Sequence, residues 1–468
     1  MLFSSMTFLF VFMPLVMAVY FLSKKEIRNY VLLIASIIFY AWGEPRYLAI
    51  MIITILVNYA GAILLDKHYS SRQRLWIVSL TIVLDLSFLF YFKYFNFVVD
   101  NINGVLATDF QLLDIIMPIG ISFYTFQAMS YLIDVYRREV PAQKDVYKLA
   151  LYIVLFPQLV AGPIVKYHDV CEQIDNRTIE FKNVIIGFKR FITGLAKKVL
   201  IANTLAEVVD KIFAQAPENL TTGVSWLGAV AYCLQLYYDF SGYSDMAIGL
   251  GLMFGFRFLE NFNYPYISKS ITEFWRRWHI SLATWFKLYL YIPLGGNRKG
   301  AVRTYWNLFA VFLVTGIWHG AAWSYVAWGI WNGIFIVIER FFGLDKDKND
   351  RWYVSAAKHL YAFFAIVWGM IIFRAESLSY AYEYICRMLH IDVTKHLPDY
   401  DYGVNNKFAI MLIVGLICAM PVCRNLIYIK YERKVQRTLV NIWLFLLFFW
   451  STISLAASTY NPFIYFCF

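Results

Sequence analysis

His319 is the first candidate for chemistry in this sequence. It lies within residues 304–338, thirty-five residues that contain no Asp, Glu, Lys or Arg, and tryptophans at positions 318 and 323 flank it. Ionisable groups within such apolar runs usually serve a pathway, a proton relay or catalysis, because burying them is costly. The ordinary pKa of an imidazole suits a general base. The alternative is a neutral histidine that hydrogen-bonds across a helix bundle.

A second candidate site combines basic and aromatic side chains in residues 269–303. The segment has seven Lys or Arg and one Glu, so it carries +6 of the net charge of +11. It contains, in order, Trp275, Arg276, Arg277, Trp278 and His279. Arginine forks match phosphate geometry, so the segment predicts a basic, aromatic cleft for an anionic donor such as coenzyme A. The alternative is an ordinary cytoplasmic loop of a membrane protein.

A third candidate site consists of Asp239 and Asp245, which lie among tyrosines. Six positions apart on one helix, they would face different ways, and Gly242 between them indicates a break. We interpret them either as groups that shape the cavity or as part of a tyrosine-rich cap at a membrane boundary. Asp85 and Asp134 are interpreted as structural partners of Lys or Tyr.

The sequence shows neither a metal-binding set nor a motif for covalent catalysis. His279 and His319 lie forty residues apart, and neither has a Cys or carboxylate at ligand spacing beside it. No Gly-Lys-Ser/Thr phosphate loop and no Gly-x-Ser-x-Gly motif occurs. The six cysteines lack paired spacing and are interpreted as mostly packed thiols.

The elements that must position these residues are membrane helices. Hydrophobic residues make up 60% of the chain and charged residues 16%, with a mean hydropathy of +0.56. This composition indicates a membrane protein. The Lys and Arg residues form short clusters between apolar runs, which is typical of positive-inside topology and not of nucleic-acid binding. Since a bilayer core takes about 20 apolar residues as a helix, residues 304–338 must tilt, bend or turn back.

The apolar runs predict an all-α polytopic membrane protein with about 11 transmembrane or re-entrant helices, plus interfacial helices, around a central cavity. Residues 1–468 are interpreted as a single integral membrane domain. The basic loops place the N-terminus outside and residues 269–303 in the cytoplasm. Pro157 and its neighbours Gly162 and Pro163 predict a re-entrant segment.

Two further predictions concern the helices beside the aspartates. Residues 188–200 alternate basic and apolar faces, which predicts a helix at the inner membrane interface. Residues 226–236 and 246–258 predict two buried helices, separated by the segment that contains Gly242.

Many short segments, in order, make the chain similar to a known family. They are residues 3–5, 39–42, 118–127, 156–163, 239–245, 275–281, 318–320, 373–375 and 462–466. The chain resembles the membrane-bound O-acyltransferase superfamily in its bacterial alginate O-acetyltransferase-like branch. The resemblance runs nearly from end to end. Leu288 departs from it at a position where an acidic residue is expected, and Cys467 departs from it near the end.

The resemblance implies a reaction and a location. The protein would move an acyl group, usually acetyl, from a cytoplasmic thioester such as acetyl-CoA towards hydroxyls of an extracytoplasmic polysaccharide, directly or through a partner protein. It would reside in the bacterial cytoplasmic membrane and hold no bound cofactor. The invariant family histidine would be His319. The second would be His279, which would position the donor or stabilise developing charge. Trp318, next to His319, would be a cavity residue.

The sequence alone leaves two alternatives to acetyl transfer open. A sister branch transfers D-alanine to teichoic acids from a carrier-protein thioester. A transporter or a scaffold of an envelope glycan complex is the non-enzymatic alternative, although the sequence shows no inverted repeats and a scaffold leaves His319 unexplained.

Overall fold

A computed structural model describes residues 1–67, 70–160, 162–344, 351–390, 400–423, 434–458 and 460–462. Most of these residues are helical, and no strand occurs among them. Among the described residues, four helical segments are long and apolar enough to cross a membrane, namely Pro45–Lys67, Ser71–Leu106, Trp352–Arg374 and Val435–Ala457. The prediction of an all-α membrane protein is confirmed, whereas the number of spans stays a prediction. Cys467 lies outside the described residues.

The chain forms two compact units. The first comprises residues 1–191 and 244–259, and the second comprises residues 192–243 and 260–468. The interpretation of the whole chain as one domain stays a prediction.

The first unit is built from short and long helices around an aromatic core. Phe3, Phe8, Phe12, Phe39 and Phe156 are buried there, and their rings meet at 5.0–6.5 Å. The helices are α1 (Met13–Leu22), α2 (Arg28–Ala41), α3 (Leu48–Lys67), α4 (Ser71–Leu89), α5 (Phe95–Leu106), α6 (Ile121–Arg137), α7 (Val146–Val154), α8 (Phe156–Leu159) and α9 (Tyr167–Asn176).

The second unit contains the helices on which the candidate site lies. The remaining helices are α10 (Phe181–Ala196), α11 (Asn203–Phe213), α12 (Thr222–Met253), α13 (Ile271–Arg277), α14 (Ile280–Phe286), α15 (Ala301–His319), α16 (Trp323–Phe342), α17 (Trp352–Arg374), α18 (Leu378–Leu389), α19 (Asn406–Cys418) and α20 (Lys434–Ala457). Helices α10 and α12 each contribute residues to both units.

The prediction of two helices separated at Gly242 is wrong, because α12 runs without interruption from Thr222 to Met253. The glycine serves another purpose. A Cβ atom at residue 242 would lie 2.8 Å from the carbonyl oxygen of Gly194. Gly242 therefore lets the backbones of α12 and α10 approach closely, as small residues do between membrane helices.

The backbone is irregular at two places, whereas a re-entrant path for the segment around Pro157 stays a prediction. Helix α7 ends at Val154 and α8 is a single turn that contains Pro157. After α14 and a π-helical turn (Lys287–Tyr291), the chain turns through Gly295 and Gly296, whose φ angles are +108° and +54°. Only glycine adopts such angles without strain.

The uncharged run of residues 304–338 turns back on itself. Helix α15 ends at His319, the chain extends through Gly320, and α16 starts at Trp323. The two helices approach closely, since a Cβ atom at Gly316 would lie 2.9 Å from the Cα atom of Gly329. The glycines thus form a helical hairpin that places His319 at its turn.

Candidate functional site

Within the second unit, His319 lines a small, mostly apolar cavity. The other lining residues come from α12, α16, α17 and the junction of α13 with α14; they are Leu236, Phe240, Trp278, Trp328, Met370 and Phe373. The cavity walls therefore bring together side chains that lie far apart in the sequence. Of the predicted site residues, His319 and Trp278 line this cavity.

The imidazole of His319 is enclosed by aromatic rings. The side chain is 7% exposed, and its ring centroid lies 5.0 Å from those of Trp318 and Trp328 and 5.2 Å from that of Phe373. The Trp328 and Phe373 contacts are edge-to-face. Such an apolar surround excludes water and strengthens electrostatic interactions with a bound substrate.

The prediction that Trp323 flanks His319 is corrected. Trp323 is 56% exposed, and the second indole on the His319 ring belongs to Trp328. The difference arises because α16 folds back along α15, which brings a residue nine positions beyond His319 against it. Sequence adjacency alone gave no signal for this contact.

His279 is buried at the start of α14, with 1% exposure. Its φ angle is +46°, in the left-handed region. Nδ1 lies 3.2 Å from Oδ1 of Asn261, and the ring packs edge-on against Phe240 with centroids 4.6 Å apart. Burial lowers the pKa of His279 to about 3, so the ring is neutral at physiological pH. Asn261 was not singled out from the sequence.

The two histidines contact the same indole. The ring centroid of Trp318 lies 5.0 Å from that of His319 and 6.5 Å from that of His279. Trp318 itself is 4% exposed. Two imidazoles that are forty positions apart in the sequence are thus grouped around one buried side chain.

Around α13 and its junction with α14, the tryptophans are buried, whereas the arginines are more exposed. Trp275 and Trp278 are buried, and Nε1 of Trp275 donates a hydrogen bond of 3.0 Å to Asn332. Arg276 is exposed. Arg277 donates to Glu273 at 2.8 Å and to the carbonyl of Asn263 at 3.1 Å. A role of the two arginines in donor binding stays a prediction.

Glu339 of α16 fixes the N-terminus of α13. It is fully buried, and its two carboxylate oxygens accept the backbone N–H groups of Ile271 at 2.5 Å and Thr272 at 2.8 Å. The hydroxyl of Tyr361 donates to the same carboxylate at 3.0 Å. The first N–H groups of a helix have no intrahelical partner, so a carboxylate there satisfies them and suits the helix dipole. Ser270 also caps this helix.

The two predicted aspartates form ion pairs with basic residues. In the second unit Asp239 lies 2.7 Å from Nζ of Lys198. In the first unit Asp245 lies 2.8 Å from Arg190. Neither aspartate is among the residues that line the cavity. Each carboxylate pairs with a nearly buried cation, as buried charges require.

These ion pairs correct one interpretation. Lys198 and Arg190 are only 1% and 7% exposed, so these two side chains do not contribute to an exposed basic face. The amphipathic pattern did not reveal whether a polar face meets water or a charged residue of another helix. Tyr237, Tyr238 and Tyr243 are buried as well, and the tyrosine-rich cap at a membrane boundary stays a prediction.

Asp85 has a different partner from the one predicted. It is 1% exposed, and its carboxylate accepts hydrogen bonds of 2.9 and 3.0 Å from the side-chain amide of Asn58. The partner is thus an amide and not the Lys or Tyr expected.

The described ranges contain no cluster of three or more His, Cys, Asp or Glu able to hold a metal ion.

Comparison with known proteins identifies the class. Residues 37–381 match the model of the membrane-bound O-acyltransferase family. The chain belongs to this family, and it is an O-acyltransferase.

Individual relatives cover most of the chain. It is 43% identical to the probable alginate O-acetylase AlgI of Pseudomonas putida across 100% of both proteins. It is 32% identical to the peptidoglycan O-acetyltransferase of Helicobacter pylori across 93% of this chain and 89% of that protein. It is 28% identical to the teichoic acid D-alanyltransferase of Bacillus subtilis across 56% of this chain and 70% of that protein.

Proposed function

We propose that the protein transfers an acetyl group from a cytoplasmic thioester, acetyl-CoA, to hydroxyl groups of an extracytoplasmic polysaccharide, with His319 as general base. The observation that carries the proposal is a buried histidine on the wall of an apolar cavity, enclosed by Trp318, Trp328 and Phe373. The names of the alginate and peptidoglycan O-acetylating relatives, which cover nearly all of the chain, support acetyl as the acyl group and a polysaccharide as the acceptor.

The reaction uses the lone pair of the imidazole. His319 takes the proton of the acceptor hydroxyl while its oxygen attacks the thioester carbonyl. The new C–O bond forms, the C–S bond breaks, and the departing thiolate receives the proton from the imidazolium. General-base catalysis of this kind contributes about 10² to 10⁴ in rate. An acyl-histidine intermediate is the alternative route to the same product, with one covalent step more.

The basic segment supports a cytoplasmic donor. Arg276, Lys287, Arg298, Lys299 and Arg303 are exposed in residues 269–303. Exposed cations at the cytoplasmic side suit the phosphates of coenzyme A, which are too polar to enter the bilayer. The acceptor lies on the other side of the bacterial cell membrane, and the acetyl group reaches it directly or through an acyl-accepting partner protein.

D-alanyl transfer to teichoic acid is the second candidate function. It is supported by the similarity of the chain to the Bacillus subtilis enzyme. The sequence identity to that enzyme is lower, and covers less of the chain, than the identity to the O-acetylating relatives. The transporter and scaffold alternatives are set aside, because the family membership makes the chain an enzyme.

The proposal is tested by mass spectrometry of surface polysaccharides from cells with and without the protein. Ester-linked acetyl that depends on the protein supports it, whereas ester-linked D-alanine or no change overturns it. His319→Asn should fold normally yet lose about two to four orders of magnitude in transfer, because an amide cannot accept the proton. His168→Asn, the same change at a 63% exposed side chain, is the matched control. A folded His319→Asn protein with normal transfer removes His319 from the mechanism.

A further inference from the structure

Asn261 forms a buried hydrogen-bond centre beside His279. Its side-chain oxygen lies 3.1 Å from the backbone nitrogen of Ser281, 2.9 Å from the hydroxyl of Ser281 and 3.2 Å from Nδ1 of His279. The backbone carbonyl of Asn261 accepts a hydrogen bond from the backbone N–H group of Ile280 at 3.0 Å. The side chains of Asn261 and His279 are each 1% exposed. Asn261 therefore holds the left-handed turn at His279 from both sides.

The backbone of Ser281 determines which way the amide of Asn261 points. A backbone N–H group only donates hydrogen bonds, so the Asn261 atom that faces it must be the oxygen and not the nitrogen. The same oxygen faces Nδ1 of His279. Because an amide oxygen only accepts, the 3.2 Å contact is a hydrogen bond only when Nδ1 carries the hydrogen. The hydroxyl of Ser281 lies farther from Nδ1, at 3.5 Å, and is closer to the Asn261 oxygen, at 2.9 Å. The Asn261 oxygen, which can only accept a hydrogen bond, thus favours the tautomer of His279 with hydrogen on Nδ1.

The other ring nitrogen of His279 then carries a lone pair. Nε2 is buried and has no hydrogen-bond partner in the part of the chain that the structure describes. Burial is the cause that lowers the pKa of His279, and no charged neighbour contributes. A neutral ring with its hydrogen on Nδ1 accepts at Nε2 and cannot donate there. Such a ring is unsuited to stabilising an oxyanion by donating a hydrogen bond.

We propose that Asn261 is a positioning residue that fixes the Nδ1–H tautomer of His279, so that Nε2 accepts a hydrogen bond or a proton from an O–H or N–H group of a bound substrate. The inference rests on the proposed function for the identity of that substrate. It replaces the expected role of His279 in stabilising developing charge with that of an acceptor. Asn261 acts through His279 and does not itself touch the substrate.

Asn261→Asp is the most informative variant. The carboxylate has nearly the same shape and accepts the same three hydrogen bonds, but its charge favours the imidazolium and raises the pKa of His279. Protonation removes the lone pair at Nε2. We expect the pH profile of kcat/KM for the variant to show an additional fall on the acidic side that is absent from the wild-type profile. Asn263→Asp is the matched control, since it makes the same change at an exposed side chain two positions away; its profile should follow the wild type.

Asn261→Leu and Ser281→Ala test the same point from the other direction. Leucine removes the acceptor, so the ring of His279 loses its fixed tautomer. We expect about a 10- to 100-fold loss of kcat, by analogy with the loss seen when an outer hydrogen-bond partner of a metal-bound histidine is removed. Ser281→Ala keeps the backbone N–H that orients Asn261 and should cost much less. Folded Asn261→Asp with an unshifted pH profile, or folded Asn261→Leu with normal kcat, overturns the proposal.

A spectroscopic measurement separates this inference from the proposed function. In ¹⁵N spectra of histidine-labelled protein, the signals absent from His279→Gln belong to His279 and report which nitrogen carries hydrogen. Hydrogen on Nδ1 in the wild type supports the inference even if the transferred group proves to be D-alanine. Hydrogen on Nε2 overturns it, even in a protein that acetylates its polysaccharide normally.

Discussion

Replacing Gly316 with alanine should impair transfer by separating the two helices of the hairpin. A Cβ atom at residue 316 would lie 2.4 Å from the carbonyl oxygen of Tyr325 and 2.9 Å from the Cα atom of Gly329. Both atoms belong to the backbone of α16, which cannot rotate aside as a side chain does. Since ordinary contacts begin at 3.4 Å, α16 must withdraw from α15 by about 1 Å in a closely packed interior.

The withdrawal matters because the hairpin carries both partners of one ring contact. His319 lies on α15, Trp328 lies on α16, and their ring centroids are 5.0 Å apart. A misplacement of about 1 Å near reacting groups costs on the order of 100-fold in rate. We therefore expect Gly316→Ala to lose about 100-fold in transfer. Overpacking of this kind destabilises by about 1–3 kcal/mol, which a folded protein can tolerate.

Gly333→Ala is the matched control on the same pair of helices. A Cβ atom there would lie 3.0 Å from Cδ2 of the Phe309 ring and 3.5 Å from the Phe309 backbone. The ring can shift by a few tenths of an ångström, so this variant should keep most of its activity. Transfer is measured as ester-linked acetyl on the polysaccharide, normalised to folded protein from size-exclusion chromatography. Equal activity of the two folded variants would refute the reasoning.

Two further predictions concern α13. Replacing Arg276 and Arg277 by glutamine together should raise the KM for the thioester donor more than it lowers kcat, because the lost interaction is with donor phosphates; an unchanged KM in folded protein would make them topology signals only. Glu339→Gln should destabilise the protein by about 1–3 kcal/mol, since an amide nitrogen would face the buried N–H group of Ile271 or Thr272; an unchanged thermal midpoint in detergent would contradict the capping role.

The parts of the fold that depend on a continuous stretch of sequence could be predicted. Thirty-five uncharged residues are too long for one untilted span, so a tilt, a bend or a turn within them could be predicted from length. The isolation of His319 was visible without any structure, because no charged residue lies near it in the sequence.

The contacts between distant segments could not be predicted. Gly242 looks the same in the sequence whether it breaks a helix or lets another backbone approach. The pairing of Asp239 with Lys198 joins residues forty-one positions apart, and no periodicity relates them. Trp328 and Asn261 acquire their roles only when the chain folds back, since neither lies next to the histidine it contacts.

The spacing of three side chains on α16 bears on how such enzymes can be recombined. Trp328 contacts His319, Asn332 accepts from Trp275, and Glu339 holds the N-terminus of α13. Each residue of an α-helix turns the chain by about 100°. A single residue inserted between Trp328 and Glu339 would therefore rotate the side chain of Glu339 by about 100° relative to that of Trp328, so the two could not keep their contacts together. Chimaeras built from two members of the family should therefore exchange residues 271–342 as one block. If the spacing of the three contact residues on α16 differs between the parents, α13 from one parent would not form these contacts with α16 from the other.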